Sequence, residues 1–271
     1  MLKHTSILLL AASLASLIPA LHAEGAPQPL RALLVTGGCC HDYATQKKIL
    51  REGISARANV EWTIVHEGSD RSDRNSAYLK PDWAKGFDVV VHNECYGAEK
   101  EVAFVESIAA AHKAGVPAVM LHCSSHSYRA AETDEWRMAV GITSRSHEKG
   151  RDLAVQRINS EHPVMQGFPE MWTDPADELY KNEKVWPTAV PLAKAYGADT
   201  QQDHYVVWVN TYGKARVFST TLGHHNATMA DPVYLDLVTR GLLWSCDKLD
   251  PKGKALPGYG APAGQKGTEA R

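Results

Sequence analysis

RALLVTGGCCHD, residues 31–42, decides the fold. Ala32 to Val35 is continuously apolar, and the run stops at Gly37-Gly38. An unbroken apolar run, unlike an alternating one, is what a strand buried on both faces needs, and such strands belong to parallel sheets. FDVVVH at 87–92 and VPAVML at 116–121 repeat the pattern, and KARVFSTTL at 214–222 is a further strand-like stretch. Each run leads into a polar turn. The four turns are Gly37-Gly38-Cys39-Cys40-His41-Asp42, His92-Asn93-Glu94-Cys95, His122-Cys123-Ser124-Ser125-His126 and Gly223-His224-His225-Asn226. Ligands of an open α/β sheet bind outside the carboxyl ends of its strands. If these strands are parallel neighbours, turns far apart in the chain meet at one edge.

Helical patterns separate the strands. Residues 44–58 place Ile49, Leu50 and Ile54 inward, and residues 99–114 do the same with Val102, Val105, Ile108, Ala109 and His112. Gly115 then ends the second helix in the C′ role. With a strand at 60–65, this alternation predicts an α/β fold. It is a doubly wound, mostly parallel sheet of flavodoxin-like or Rossmann-like order. The second half predicts short strands at 152–158 and 178–192. An added β-hairpin follows, built from 204–210 and 214–222 around Thr211-Tyr212-Gly213. Asp231-Pro232 opens a last helix with proline at its first position.

The ends read differently. Residues 1–23 combine Lys3, an apolar stretch from Ile7 to Ala20 and the small Ala23, the pattern of a secretory signal peptide. The chain is therefore expected to be secreted or periplasmic, without stable membrane insertion once the signal is cleaved. Residues 28–249 form the expected domain. Residues 250–271, rich in Pro, Gly and Lys, are expected to be disordered. The 29 basic and 31 acidic side chains give a net charge of -2, and no basic block occurs, so nucleic acid is not an expected partner. Self-association into a homo-oligomer stays open. The five cysteines include no CxxC pair, and the odd count leaves at least one unpaired within a single chain. Cys39 and Cys40, as sequence neighbours, are not expected to bridge to each other. Cys246 reads as a buried small apolar residue.

Two chemistries compete for the turns. Cys123 stands where a strand-to-helix turn would expose a nucleophile, with His224 as its partner base. Alternatively His41, His126 and His224 converge on a divalent metal, zinc first, with Glu94 or Asp42 nearby. Three ligands and one open position is the catalytic zinc pattern. Asp177-Glu178-Leu179-Tyr180 supplies a carboxylate, Glu178, for acid–base work. His122, Tyr212, His225 and Asn226 are candidates for binding substrate. Trp172, Trp186 and Trp208 could stack on a sugar ring, although Trp208 alternates as a core residue. GGCCHDY lacks the GxGxxG spacing, so no nucleotide cofactor is expected.

Several longer stretches resemble the ThuA-like (trehalose utilisation) family, within the class I glutamine-amidotransferase-like superfold. They are LLVTGG at 33–38, LHCSSHSYR at 121–129, GITSRSHEKG at 141–150, EHPVMQGFP at 161–169 and DELYKNEKVWPTAVPLA at 177–193. The most specific is VVWVNTYGKARVFSTTLGHHNATMADPVYLDLVTRGLLW at 206–244. The resemblance implies a flavodoxin-like sheet and a role in carbohydrate metabolism, on a sugar, keto-sugar or glycoside. At the matching positions it carries over His41, His126, Glu178 and His224 as site residues, a set compatible with a divalent metal. It weakens Cys123, because a catalytic cysteine is not a dependable feature of the family. A Cys-His hydrolase and a non-catalytic sugar-binding module are the alternatives.

Overall fold

The computed structural model describes residues 28–262. In chain order the strands are β1 Leu30–Gly38, β2 Val60–Glu67, β3 Val89–Cys95, β4 Ala118–Leu121, β5 Ile142–Thr143, β6 Arg151–Arg157, β7 Met171–Asp177, β8 Lys184–Val185, β9 Ala189–Gly197, β10 Gln202–Tyr212 and β11 Ala215–Thr220. The α-helices are α1 Tyr43–Ser55, α2 Val102–Ala114, α3 Glu135–Val140, α4 Asn226–Ala230 and α5 Pro232–Ser245. Nine strands make one sheet in the order β2-β1-β3-β4-β11-β10-β9-β6-β7, and β5 pairs with β8 apart from it. The first five are mutually parallel. Their order, 2-1-3-4-5 when β11 is counted as the fifth, is the flavodoxin-like arrangement rather than the Rossmann one.

β1 shows why the sheet is filled on both sides. Ala32 and Leu34 pack with Leu50 and Ile54 of α1 and Leu237 and Leu242 of α5. Leu33 and Val35 point the other way, to Val105 and Ile108 of α2 and Trp136 of α3. The continuous apolar run is thus shared residue by residue between two cores. Each core gains on the order of 25 cal/mol for every Å² of apolar surface removed from water.

Three expectations need correction. The β10–β11 hairpin is real, yet it is not an appendage. β11 lies parallel to β4 as the fifth strand, and β10 starts an antiparallel wing with β9, β6 and β7. The predicted strand at 178–192 breaks up. Glu178 to Glu183 forms no strand, and Tyr180 makes a single bridge to His147. The disordered tail is corrected for residues 250–262. Leu249 bridges Ala255, Gly260 bridges Ala58, and the Asn59 amide donates to the Tyr259 carbonyl at 3.0 Å. Tyr259 also packs on the core, which a composition argument about Pro, Gly and Lys overlooks. The signal segment 1–23 and the tail residues 263–271 lie outside the described residues. Among the described residues no helix is long and apolar enough to cross a membrane.

Candidate functional site

All four turns reach the carboxyl edge of the parallel strands, where this topology places ligands, and three of them supply histidines to one cluster. Gly37-Gly38 starts the first. Both glycines hold positive φ, 132° and 84°. A Cβ at Gly37 would run into the Glu67 carbonyl, and one at Gly38 into the Cys95 carbonyl. Only glycine lets the chain turn this close to both neighbouring strands. His41 follows, and Asp42 caps α1 by accepting from the Thr45 amide at 3.2 Å. The Asn226 amide donates to the other oxygen of Asp42 at 2.8 Å, tying the first turn to the fourth.

The His122 turn is an elbow. Its φ is 43°, in the left-handed region, and the 3₁₀ turn His122–Ser125 begins there. A non-glycine residue held in that region marks stored strain of the kind found at functional sites. Cys123, expected at the elbow, sits one residue later.

The Gly223-His224 turn is fixed from below. The buried Asp177 carboxylate accepts from the Gly223 amide at 2.7 Å and the His224 amide at 3.3 Å. The Gln46 side chain donates to the His224 carbonyl at 3.2 Å.

The result is a triangle of imidazole nitrogens. His41 Nε2 lies 3.1 Å from His122 Nε2 and 3.1 Å from His224 Nδ1, and those two are 3.3 Å apart. Glu178 Oε2 stands 3.4 Å from His224 Nδ1 and 3.7 Å from His122 Nε2. All four ligand atoms fall within 4.8 Å of one another. An N–H points at one neighbour only, so three mutually close ring nitrogens cannot all be satisfied by protons. Three nitrogens bound tetrahedrally to zinc, at the usual zinc–nitrogen length, would be about 3.3–3.4 Å apart. The triangle has nearly that edge.

The ring tautomers agree with this reading. His122 Nδ1 donates to the Thr221 carbonyl at 2.6 Å, which leaves its Nε2 lone pair for the centre. His41 Nδ1 is engaged by the Tyr43 hydroxyl at 3.0 Å. Burial, followed by the neighbouring His122 and His224, drives the His41 pKa down to about 2. Burial also lowers His122, against the opposing Asp177 carboxylate. Both rings are therefore neutral at pH 7, the form that binds a metal. His224 goes the other way, raised by its hydrogen bond to Glu178 against burial. Burial pushes the Glu178 carboxyl up, but the His224 bond, His122 and His147 outweigh it and hold it below the usual range.

The adjoining cavity holds about 190 Å³ and is lined by His41, His126, His147, Glu178, Tyr180 and His224, together with Cys40, Arg71, Cys95, Gly97, Cys123 and Arg129. At well under the ~300 Å³ of a typical drug-sized pocket, it suits a ligand on the scale of one sugar ring. Tyr180, His126 and His147 stack beside the cluster, with the first two rings 3.7 Å apart and 10° from parallel.

Not every candidate arrives. His126, expected as a ligand, turns to Tyr180, and its Nε2 pairs with the Ser144 hydroxyl at 2.8 Å. His122 takes its place in the triangle. Cys123 is bonded to Cys95 and carries no thiol to ionise, which removes it as a nucleophile. Cys39 and Cys40 do bridge to each other, contrary to expectation, with Cys40 at φ 86°. Cys246 is the free cysteine among the described residues, and its burial pushes its pKa up to about 12. Glu94 is buried away from the cluster, accepting from the Tyr78 hydroxyl at 2.7 Å and the Tyr128 hydroxyl at 3.1 Å.

Tyr212 lies at the hairpin end of β10, opposite Ala215, and donates to Glu135. It is thus at the amino end of the parallel strands and remote from the site. His225 is exposed and packs edge-on against His224, while Asn226 is committed to Asp42. Trp208 is buried, donating to the Val140 carbonyl at 2.7 Å. His147, Tyr180, Arg71 and Arg129 are site residues that the sequence reading misses, although three of them sit inside or beside the quoted motifs.

The comparisons agree with the fold. No curated protein matches the chain. A protein described as ThuA-like from Parabacteroides merdae superposes with a TM-score of 0.64 at 18% identity, over 88% of this chain and 99% of that one. Another from Bacteroides uniformis gives 0.62 at 14%, over 88% and 98%. A GMP synthase protein from Thermoplasma acidophilum gives 0.50 at 13%, over 82% and 96%, in keeping with the glutamine-amidotransferase-like fold. The family model for trehalose utilisation matches residues 31–245. The chain belongs to the ThuA family.

Proposed function

We propose that this protein is a metal-dependent enzyme of carbohydrate metabolism, acting on a small sugar, keto-sugar or glycoside at the carboxyl edge of the sheet. The observation that carries this is the triangle of ring nitrogens at 3.1–3.3 Å with Glu178 beside it. His41, His122 and His224 would hold the ion, and three imidazole nitrogens favour zinc over magnesium or calcium. When bound, such an ion supplies Lewis acidity toward a carbonyl or hydroxyl oxygen. Glu178 stands slightly farther out than the nitrogens and is only partly buried, so it borders the open side as the group placed to move a proton. His147 Nδ1 lies 3.6 Å from the other carboxylate oxygen, near enough to add charge attraction but committed to the Glu148 carbonyl at 2.8 Å. The ring stack of Tyr180, His126 and His147 gives the wall a sugar face can lie against.

The two disulfides support the exported location that the first 23 residues suggest, because such bonds persist in oxidising compartments. The test is metal analysis of the purified full chain, joined to mass-spectrometric screening of trehalose, other disaccharides and their oxidised forms. One zinc per chain, with turnover lost on chelation and restored by zinc, is expected. Full turnover in chelated, metal-free protein would refute the metal reading.

A further inference from the structure

The cavity contains two arginines that the metal cluster does not use. Arg31, Arg57, Arg74, Arg137, Arg145 and Arg151 each meet a carboxylate at 2.5–3.0 Å. Arg71 and Arg129 line the cavity and meet none within ion-pair distance among the described residues. The Asp70 carboxylate next to Arg71 is taken by Ser72, through its amide at 2.9 Å and its hydroxyl at 2.6 Å. The side-chain contact of Arg71 is with Cys40 sulfur at 3.9 Å. Arg129 donates to the Arg145 carbonyl at 3.0 Å and reaches His126 Nδ1 at 3.4 Å.

Both arginines are set by one turn. The Ala98 amide donates to the Arg71 carbonyl at 2.9 Å, and the Ala130 amide donates to the Gly97 carbonyl at 3.3 Å. A Cβ on Gly97 would stand 3.3 Å from Arg129 Nε, so the missing side chain leaves that guanidinium its place. The cavity's single carboxylate, Glu178, is occupied by the histidines. Two guanidinium groups thus face a small cavity with no anion to balance them, and a divalent ion would add to the excess.

We infer that Arg71 and Arg129 form an anion-binding half of the pocket, so that the ligand is a small polyhydroxylated compound carrying a carboxylate or a phosphate. This rests on reading the cavity as the sugar site. A planar guanidinium pair is well matched to either anion, since each can accept two parallel N–H bonds. The ring hydroxyls or carbonyl would then face the histidine side, and the charge would fix which end of the sugar enters.

Calorimetry on the zinc-loaded full chain tests this with three probes: glucose, glucuronate and glucose 6-phosphate. At least one charged probe is expected to bind about tenfold or more tightly than glucose. Glucuronate in that role identifies a carboxylate, and glucose 6-phosphate a phosphate. In R71Q/R129Q the preference should fall to within about twofold, with zinc stoichiometry unchanged. The exposed Arg71 makes R71Q alone a second variant that keeps its fold, and it should lose part of the preference. Equal binding of glucose and both anions overturns the proposal, as does failure of all three to bind at millimolar concentration. A preference that survives in R71Q/R129Q also overturns it, because the ion alone would then be selecting the anion. Zinc stoichiometry is read separately. A wild-type chain that binds no zinc sinks the metal reading, and the same probe series on that chain still decides the arginines.

Discussion

Replacing His122 by asparagine separates two roles of one residue. The backbone at His122 is left-handed, φ 43°, where an ordinary L-residue costs about 1–2 kcal/mol. Asparagine tolerates that region better and recovers part of the cost. Against this, the substitution removes the Nδ1 donation to the Thr221 carbonyl, a bond worth about 1 kcal/mol, although the asparagine amide brings a donor of its own. The two effects oppose each other. Metal-free stability should move by no more than about 1 kcal/mol, or roughly 2–4 °C in Tm for a domain of this size. Zinc binding should respond quite differently. At a hundredfold excess over Kd, a ligand stabilises the native state by about 2.7 kcal/mol, hence a rise of roughly 5–11 °C in the wild-type chain. Without one of three imidazoles, that rise should shrink to about 2 °C or less at the same zinc concentration. Thermal melts of chelated protein, with and without zinc, measure both quantities on the same sample. A zinc-induced rise of wild-type size in His122→Asn would show that His122 is not a ligand. Absence of any rise in the wild-type chain would refute the whole ligand set.

His126→Phe keeps the stack on Tyr180 but loses the Ser144 hydrogen bond, so zinc stoichiometry by metal analysis should stay at the wild-type level; its loss would restore His126 to the ligand set. The double variant C95S/C123S should retain turnover within a few-fold per folded molecule. Opening a link between residues 28 apart should cost about 3–4 kcal/mol in denaturant melts, and a complete loss of turnover in folded protein would return Cys123 to the chemistry. Asp174, beside Asp177, has its pKa raised to about 9, by burial first and then by that neighbour. A raised carboxyl contributes stability that is complete below the unfolded value of about 4 and is lost as pH climbs toward 9. Asp174→Asn should therefore be more stable than wild type by at least about 1 kcal/mol at pH 8 and gain nothing at pH 4, as read from urea melts at the two values; an equal difference at both would deny the shift.

The parallel sheet is legible because continuous apolar runs are a local property. Ala32 to Val35 can satisfy two cores only from inside a sheet, and that much is written in four residues. Strand order is not local. Nothing in FDVVVH says that β3 lies beside β1 and not beyond β2, so only the observed pairing separates the two doubly wound orders. The site divides along the same line. His41 and His224 follow their strands directly, and their turns admit few directions, so both are readable in the chain. Choosing between His122 and His126 depends on a single backbone angle. The left-handed turn at His122 swings its ring into the cluster, and the 3₁₀ turn that follows carries His126 round to Tyr180. No pattern of residue types reports that angle. The cysteines mislead for a related reason. Cys95 and Cys123 have no telling spacing, and they pair because β3 and β4 are hydrogen-bonded neighbours whose ends bring the two Cα atoms to 5.2 Å. A nucleophile cannot be assigned from a strand-end position alone, because the same edge that exposes a thiol can also supply its partner.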